Sequence, residues 1–297
     1  MLGLRDETFG GTFPFAPHYA SVNDVQMHYV DEGRSEPVVL LHGDPTWGYL
    51  YRRFIPVLSR QRRCIVPDHM GMGKSEIPAS PSPYRLRHHI ANLETLVLTL
   101  GLTDITLILH DWGGPVGLGV ATRHPDRIKR LILMNTWASA PWPGAPFPRL
   151  LDIIRSERGE RFVLDRNGYL EPALIGTTHH RERLTEEVMA AYRAPFPTAE
   201  SRLALLCWSR DIPVVDSDPS FAEMKRIEEG LPAFSDRPVL LVWGMRDPVL
   251  PAHVLRWWRS VFPQAVSHEI GDASHFLQED APDEVIGRIE EFLDASA

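Results

Sequence analysis

Asp111 is the residue whose type and setting carry the most chemistry. It stands in His110-Asp111-Trp112-Gly113-Gly114-Pro115, directly after the apolar run 105–109 and before a helical stretch. Strand, sharp turn and helix is the setting of a nucleophile elbow, which lifts one side chain clear of a sheet. The glycine pair suits such a turn, because strand and helix must approach closely there. Leu109, two positions earlier, is bulkier than the small residue common at that place. A serine here would need activation by histidine and would suit acyl carbon. A carboxylate is already ionised at neutral pH, and a helix N-terminus favours its charge. It can attack a saturated carbon that bears a leaving group, giving an alkyl–enzyme ester. Taken alone, Asp111 reads equally well as a helix N-cap.

Its partners tilt the balance. Asp247 closes Gly244-Met245-Arg246-Asp247 after the apolar run 239–243, and His275 lies in Gly271-Asp272-Ala273-Ser274-His275-Phe276. Each sits at the end of a predicted strand, in the order nucleophile, acid, histidine found in α/β-hydrolases. Asp247 would fix the tautomer of His275 and stabilise its cation, leaving the other ring nitrogen to activate water for ester hydrolysis. Singly, both have plainer readings: His275 is one of 13 histidines, and Asp247 precedes Pro248 in a turn. His42-Gly43-Asp44-Pro45-Thr46-Trp47 follows the run 38–41. Its backbone is placed to supply one oxyanion N–H, with the amide of Trp112 as the other; otherwise it is an ordinary Gly/Pro turn.

The elements that must hold these residues are legible. Residues 38–41, 64–67, 105–109, 130–134 and 239–243 are continuous apolar runs, which predict buried parallel strands. Val25, Met27 and Tyr29 alternate with polar residues, as in an early antiparallel strand. Leu86, Ile90, Leu93, Val97 and Leu100 recur at helical spacing and stop at Gly101. Residues 118–123 and 281–293 predict further helices. The rhythm breaks at Thr136, where Pro141, Pro143, Pro146 and Pro148 crowd together, and from about 150 to 234 the pattern is helical and charged. The expected class is therefore α/β: a mostly parallel central sheet flanked by helices, with a helical cap inserted after the sixth strand. Residues 1–135 and 237–297 form the expected core domain, and 136–236 the cap.

Composition bounds the function. The chain has 297 residues, 43% apolar and 24% charged, enough for a full core. A net charge of −8 argues against a general nucleic-acid or anionic-membrane binder. The apolar runs fall short of the ~20 residues needed to span a bilayer, and residues 1–11 lack the apolar core of a signal peptide. The two cysteines, Cys64 and Cys207, form no CxxC pair, so a reducing cytoplasm is the expected location. No metal and no cofactor are expected.

With these residues in place, the chain resembles a haloalkane dehalogenase of the α/β-hydrolase superfamily. The matching stretches are HGDPTWGYLYR (42–52), PDHMGMGKS (67–75), HDWGGP (110–115), AYRAPFP (191–197), WGMRD (243–247) and SHFLQEDAP (274–282). The resemblance implies an α/β-hydrolase fold with Asp111 as nucleophile, His275 as base and Asp247 as acid. It also implies Trp112 as a halide-holding indole. Some family members carry the acid after the preceding strand, where this chain has Asn135. At position 44 the family has Asn or Glu, and this chain has Asp44. An ionised carboxylate there would repel a halide, so Asp44 is expected to be protonated, to turn away while a second Trp serves, or to mark a degraded halide site. Trp137, Trp142 and Trp208 are the candidates for that second indole. Phe147, Phe162 and Phe196 are candidate pocket linings. The implied partners are a small apolar halogenated substrate, water and a halide product, with no nucleic acid or membrane, in a monomer or small homo-oligomer. The alternative is an epoxide hydrolase with the same triad, for which Tyr169 and Tyr192 could donate a proton. A ligand receptor without catalysis is the remaining alternative.

Overall fold

Eight strands form one sheet in the computed structural model, which describes residues 4–144 and 148–296. They are β1 (His18–Val22), β2 (Val25–Gly33), β3 (Pro37–Leu41), β4 (Arg63–Pro67), β5 (Ile105–Asp111), β6 (Ile128–Thr136), β7 (Val239–Gly244) and β8 (Val266–Ile270). Their order across the sheet is β1-β2-β4-β3-β5-β6-β7-β8. The β1–β2 and β2–β4 pairs are antiparallel; the pairs from β4 onward are parallel. Strands β5 and β7 are buried along their whole length, which is why they read as unbroken apolar runs. The edge strands β1 and β8 are mixed in exposure and left no such trace.

The parallel strands end at one rim of the sheet, and the ends of β3, β5, β6, β7 and β8 and the loops leaving them carry the residues of interest. The helix Gly113–Arg123 springs directly from β5 and packs against the helix Leu86–Thr99. A Cβ placed on Gly117 would sit 2.5 Å from Leu109 Cδ2. The bulky residue two positions before Asp111 is thus accommodated by a helix face without a side chain. Gly117→Ala is expected to destabilise the chain by about 1–3 kcal/mol through overpacking, read as a lower midpoint in urea unfolding.

Between β6 and β7 come the helices Pro148–Arg155, Glu157–Leu164, Leu170–Thr177, Glu186–Arg193, Leu203–Arg210 and Phe221–Gly230. Ser156 and Thr185 cap two of them by accepting from the backbone amides of Gly159 and Val188. This helical layer is tied to the sheet by buried polar contacts. Trp47 Nε1 donates to the Ala191 carbonyl at 3.1 Å. Glu279 accepts from both Arg52 guanidinium nitrogens at 2.6 and 2.7 Å and from the Tyr192 hydroxyl at 2.5 Å. Cys64 is buried in β4 and Cys207 in the helix Leu203–Arg210, and both are free thiols. Phe147 and Pro146 lie outside the described residues.

Candidate active site

Asp111 ends β5 with φ 50°, in the left-handed region that a non-glycine residue adopts only under constraint. The constraint is visible. Thr136 Oγ1 donates to the Asp111 carbonyl at 2.6 Å, and the Asp44 amide donates to Asp111 Oδ1 at 2.9 Å. The loop after β3 therefore does bring an amide to the site, through Asp44. Gly43 is glycine for a steric reason: a Cβ there would lie 2.0 Å from Asp111 Oδ1. Gly43→Ala must displace the carboxylate, and turnover is expected to fall about 100-fold, measured against a melting temperature that changes little.

His275 faces Asp111 across 3.5 Å, from Nε2 to Oδ2, and its Nδ1 lies 2.8 Å from Asp247 Oδ2. All three side chains are buried. Burial alone would disfavour the imidazolium, but the two carboxylates outweigh it and push the His275 pKa up to about 10. Asp247 is shifted the other way. Burial opposes its charge, yet His275, the Leu250 amide and Asn135 together hold its pKa below the ordinary value.

Asn135, at the position where the resemblance implied an alternative acid, contacts Asp247 instead. Its Nδ2 donates to Asp247 Oδ2 at 2.7 Å and to the Gly244 carbonyl at 3.2 Å, while its Oδ1 accepts from the Gly244 amide. The amide left at the alternative acid position thus orients the acid on the next strand. His110 was equally invisible as a functional residue. Its Nε2 bonds the His275 carbonyl at 2.8 Å, and burial lowers its pKa to about 3, so it works as a neutral clamp on the histidine loop.

A cavity of about 410 Å³ opens onto Asp111 and His275. Trp112, Trp137, Trp142, Phe162 and Ile154 are among the residues that line it, giving an apolar chamber. Of the three candidate indoles, Trp137 and Trp142 reach the cavity; Trp208 instead stacks on His89 at 3.8 Å between ring centroids. Phe162 is in the wall, whereas Phe196 is buried elsewhere in the packing. Tyr169 also lines the cavity, but Tyr192 is spent on Glu279, so only one of the two tyrosines is available to the site.

Asp44 lies in the cavity wall beside Asp111 and does not turn away. A hydrogen bond of 2.6 Å joins its Oδ2 to the Tyr169 hydroxyl, and its Oδ1 is buried with no partner among the described residues. Burial and the neighbouring Asp111 charge raise its pKa well above the ordinary carboxylate value, against the opposing pull of Tyr169 and His275. Of the three outcomes open for Asp44, the protonated one fits. A neutral carboxyl does not repel an anion.

The order of elements agrees with what comparison with known proteins finds. The family described as the alpha/beta hydrolase fold matches residues 36–282. The chain belongs to the α/β-hydrolase fold family. Within it, the chain is 39% identical to a cis-3-alkyl-4-alkyloxetan-2-one decarboxylase of Shewanella oneidensis, over 94% of this chain and 89% of that one. It is 34% identical to haloalkane dehalogenase 2 of Mycobacterium tuberculosis, over 93% of this chain and 94% of that one. A crystal structure of an ancestral haloalkane dehalogenase superposes with a TM-score of 0.83 at 31% identity, covering 93% of this chain and 99% of that chain. The haloalkane dehalogenase DbeA of Bradyrhizobium elkani gives 0.84 at 29% identity, covering 95% and 99%. This α/β-hydrolase has no helix, among its described residues, long and apolar enough to cross a membrane.

Proposed function

We propose that this α/β-hydrolase cleaves carbon–halogen bonds of haloalkanes through an alkyl ester on Asp111. The observation that carries the reading is the setting of Asp111, a constrained carboxylate on the wall of an apolar cavity with His275 Nε2 3.5 Å away. An Asp111 oxygen attacks the carbon, and the carbon–halogen bond breaks with its electron pair on the halide. Trp112, in the cavity wall, is the indole against which the halide departs. Esterification cancels the Asp111 charge, so His275 loses one of the two carboxylates that hold its proton. It then gives its proton to solvent and, as the neutral base, takes one from the water that attacks the ester and releases an alcohol. Residues 136–236 form the cap that closes the cavity over these steps.

A second reading is favoured by the higher identity to oxetanone decarboxylases, 39% and 37% against 34% for the dehalogenase. In a β-lactone, Asp111 would attack ring carbon 4 and break its bond to the ring oxygen, leaving a carboxylate on carbon 3. That carboxylate then departs as carbon dioxide. Its bonding pair forms the alkene and expels Asp111, and no water is consumed.

Incubation of the purified chain with 1-bromobutane and, separately, with a cis-3,4-dialkyl-oxetan-2-one decides between them. Bromide with butanol supports the first reading. Alkene with carbon dioxide and no bromide moves the assignment to the second. Turnover of neither substrate overturns both.

A further inference from the structure

Neither a halide nor a carboxylate needs a proton in order to leave, yet the cavity holds a carboxyl group whose setting favours its protonated form. Asp44 is only 7% exposed, and its Oδ1 has no partner among the described residues to carry a negative charge. An ionised group so placed, beside the Asp111 carboxylate, would pay heavily for lost hydration. Its Oδ2 is 2.6 Å from the hydroxyl of Tyr169, and both residues line the cavity together with Asp111. At that distance, a proton carried on Oδ2 can pass to the phenol oxygen, which leaves the hydroxyl hydrogen of Tyr169 able to point at a bound substrate.

From this arrangement we infer that Asp44 and Tyr169 form a proton-donating couple for oxygen leaving groups, so that the same pocket opens epoxides to vicinal diols. The inference rests on the reading of Asp111 as nucleophile and adds a second substrate class to it. An alkoxide is a far stronger base than a halide and departs only if it is protonated as the bond breaks. The steps balance. Asp111 bonds to one epoxide carbon, and the carbon–oxygen bond breaks with its pair on oxygen. That oxygen takes the Tyr169 proton, and Tyr169 takes the proton of Asp44. Water then attacks the ester with His275 as base, freeing the diol and the Asp111 carboxylate. His275 gives its resting proton to solvent once Asp111 is esterified and regains one from the attacking water, while Asp44 takes a proton back from solvent, which closes the cycle.

The couple also sets a pH signature. The titratable groups facing Asp44 are Asp111, Tyr169 and His275. Epoxide opening requires the neutral form of Asp44, so its rate should fall as pH rises through the elevated pKa of that carboxyl. Bromide release takes no proton from Asp44, so it should fall less steeply over the same range.

The test compares wild type, Asp44→Asn and Tyr169→Phe on styrene oxide and on 1-bromobutane, reading diol and bromide across pH. Loss of the Asp44 proton should lower the diol rate at least about 100-fold. Bromide release should fall by a factor at least about tenfold smaller than the diol rate does, because no proton is transferred to a departing halide. Tyr169→Phe should shift the ratio in the same direction, which keeps the test informative if one variant folds poorly. Equal losses on both substrates would reduce the couple to a structural pair and overturn the proposal. So would a wild type that releases bromide but forms no diol. If wild type turns over neither substrate and no alkyl group is found on Asp111, the nucleophile reading itself is wrong and the proposal falls with it.

Discussion

Asp111→Ala abolishes bromide release from 1-bromobutane, with kcat lowered by at least about 10⁴-fold. The loss is expected to be this large because no second group can take over. His275 Nε2 faces the same site, but an alkylated imidazole is not hydrolysed by water, so it cannot sustain turnover. Asp44, the other carboxyl in the cavity wall, has its pKa raised well above the ordinary value by burial, which weakens it as a nucleophile. Folding is not the confounding factor. Alanine at φ 50° costs only about 1–2 kcal/mol. A circular dichroism melt close to wild type, together with absent bromide release, is the expected pair of results. Residual turnover within about tenfold of wild type would show that Asp111 is not the nucleophile.

His275→Phe divides the reaction. The first displacement needs only the Asp111 carboxylate, so about one equivalent of bromide per enzyme should appear and then stop. Mass spectrometry of the peptide carrying Asp111 should show the added butyl group. On the β-lactone, by contrast, the variant should still release alkene, because the second step there expels Asp111 without water. An unmodified peptide after exposure to bromobutane counts against covalent catalysis.

The same residue has a stability signature. Its folded pKa, about 10, lies above the ~6.5 of an unfolded histidine. It therefore contributes stability in full below about pH 6.5 and loses that contribution as pH rises toward 10. His275→Phe should flatten this limb in a series of urea melts at different pH.

Much of the architecture was legible because burial on both faces leaves a simple trace. Strands β3 and β5 to β7 read as continuous apolar runs, and the helix Leu86–Thr99 as a repeating apolar stripe. The edge strands left weaker patterns: β8 was not read at all, since its partly exposed residues alternate without a clear apolar side. The residues proposed to react were legible for a related reason. Asp111 and Asp247 stand where a buried strand stops and a loop must turn. Such positions are marked by glycine, by proline and by a polar side chain with no place in an apolar run. His275 lies in the loop after the partly exposed β8.

Residue type and order along the chain thus determined the fold class, the elbow and the identity of three strand-end residues that the structure brings within hydrogen-bonding or ion-pairing reach. Tertiary structure alone decided what surrounds them. Asn135 meets Asp247 across 112 positions, His110 meets the His275 carbonyl across 165, and Tyr169 meets Asp44 across 125. No local periodicity encodes such pairings, because they arise when loops from different strands converge at one rim of the sheet. The protonation of Asp44 belongs to the same class. A carboxyl group's charge depends on the water it has lost and the charges it faces, and both are properties of the folded chain.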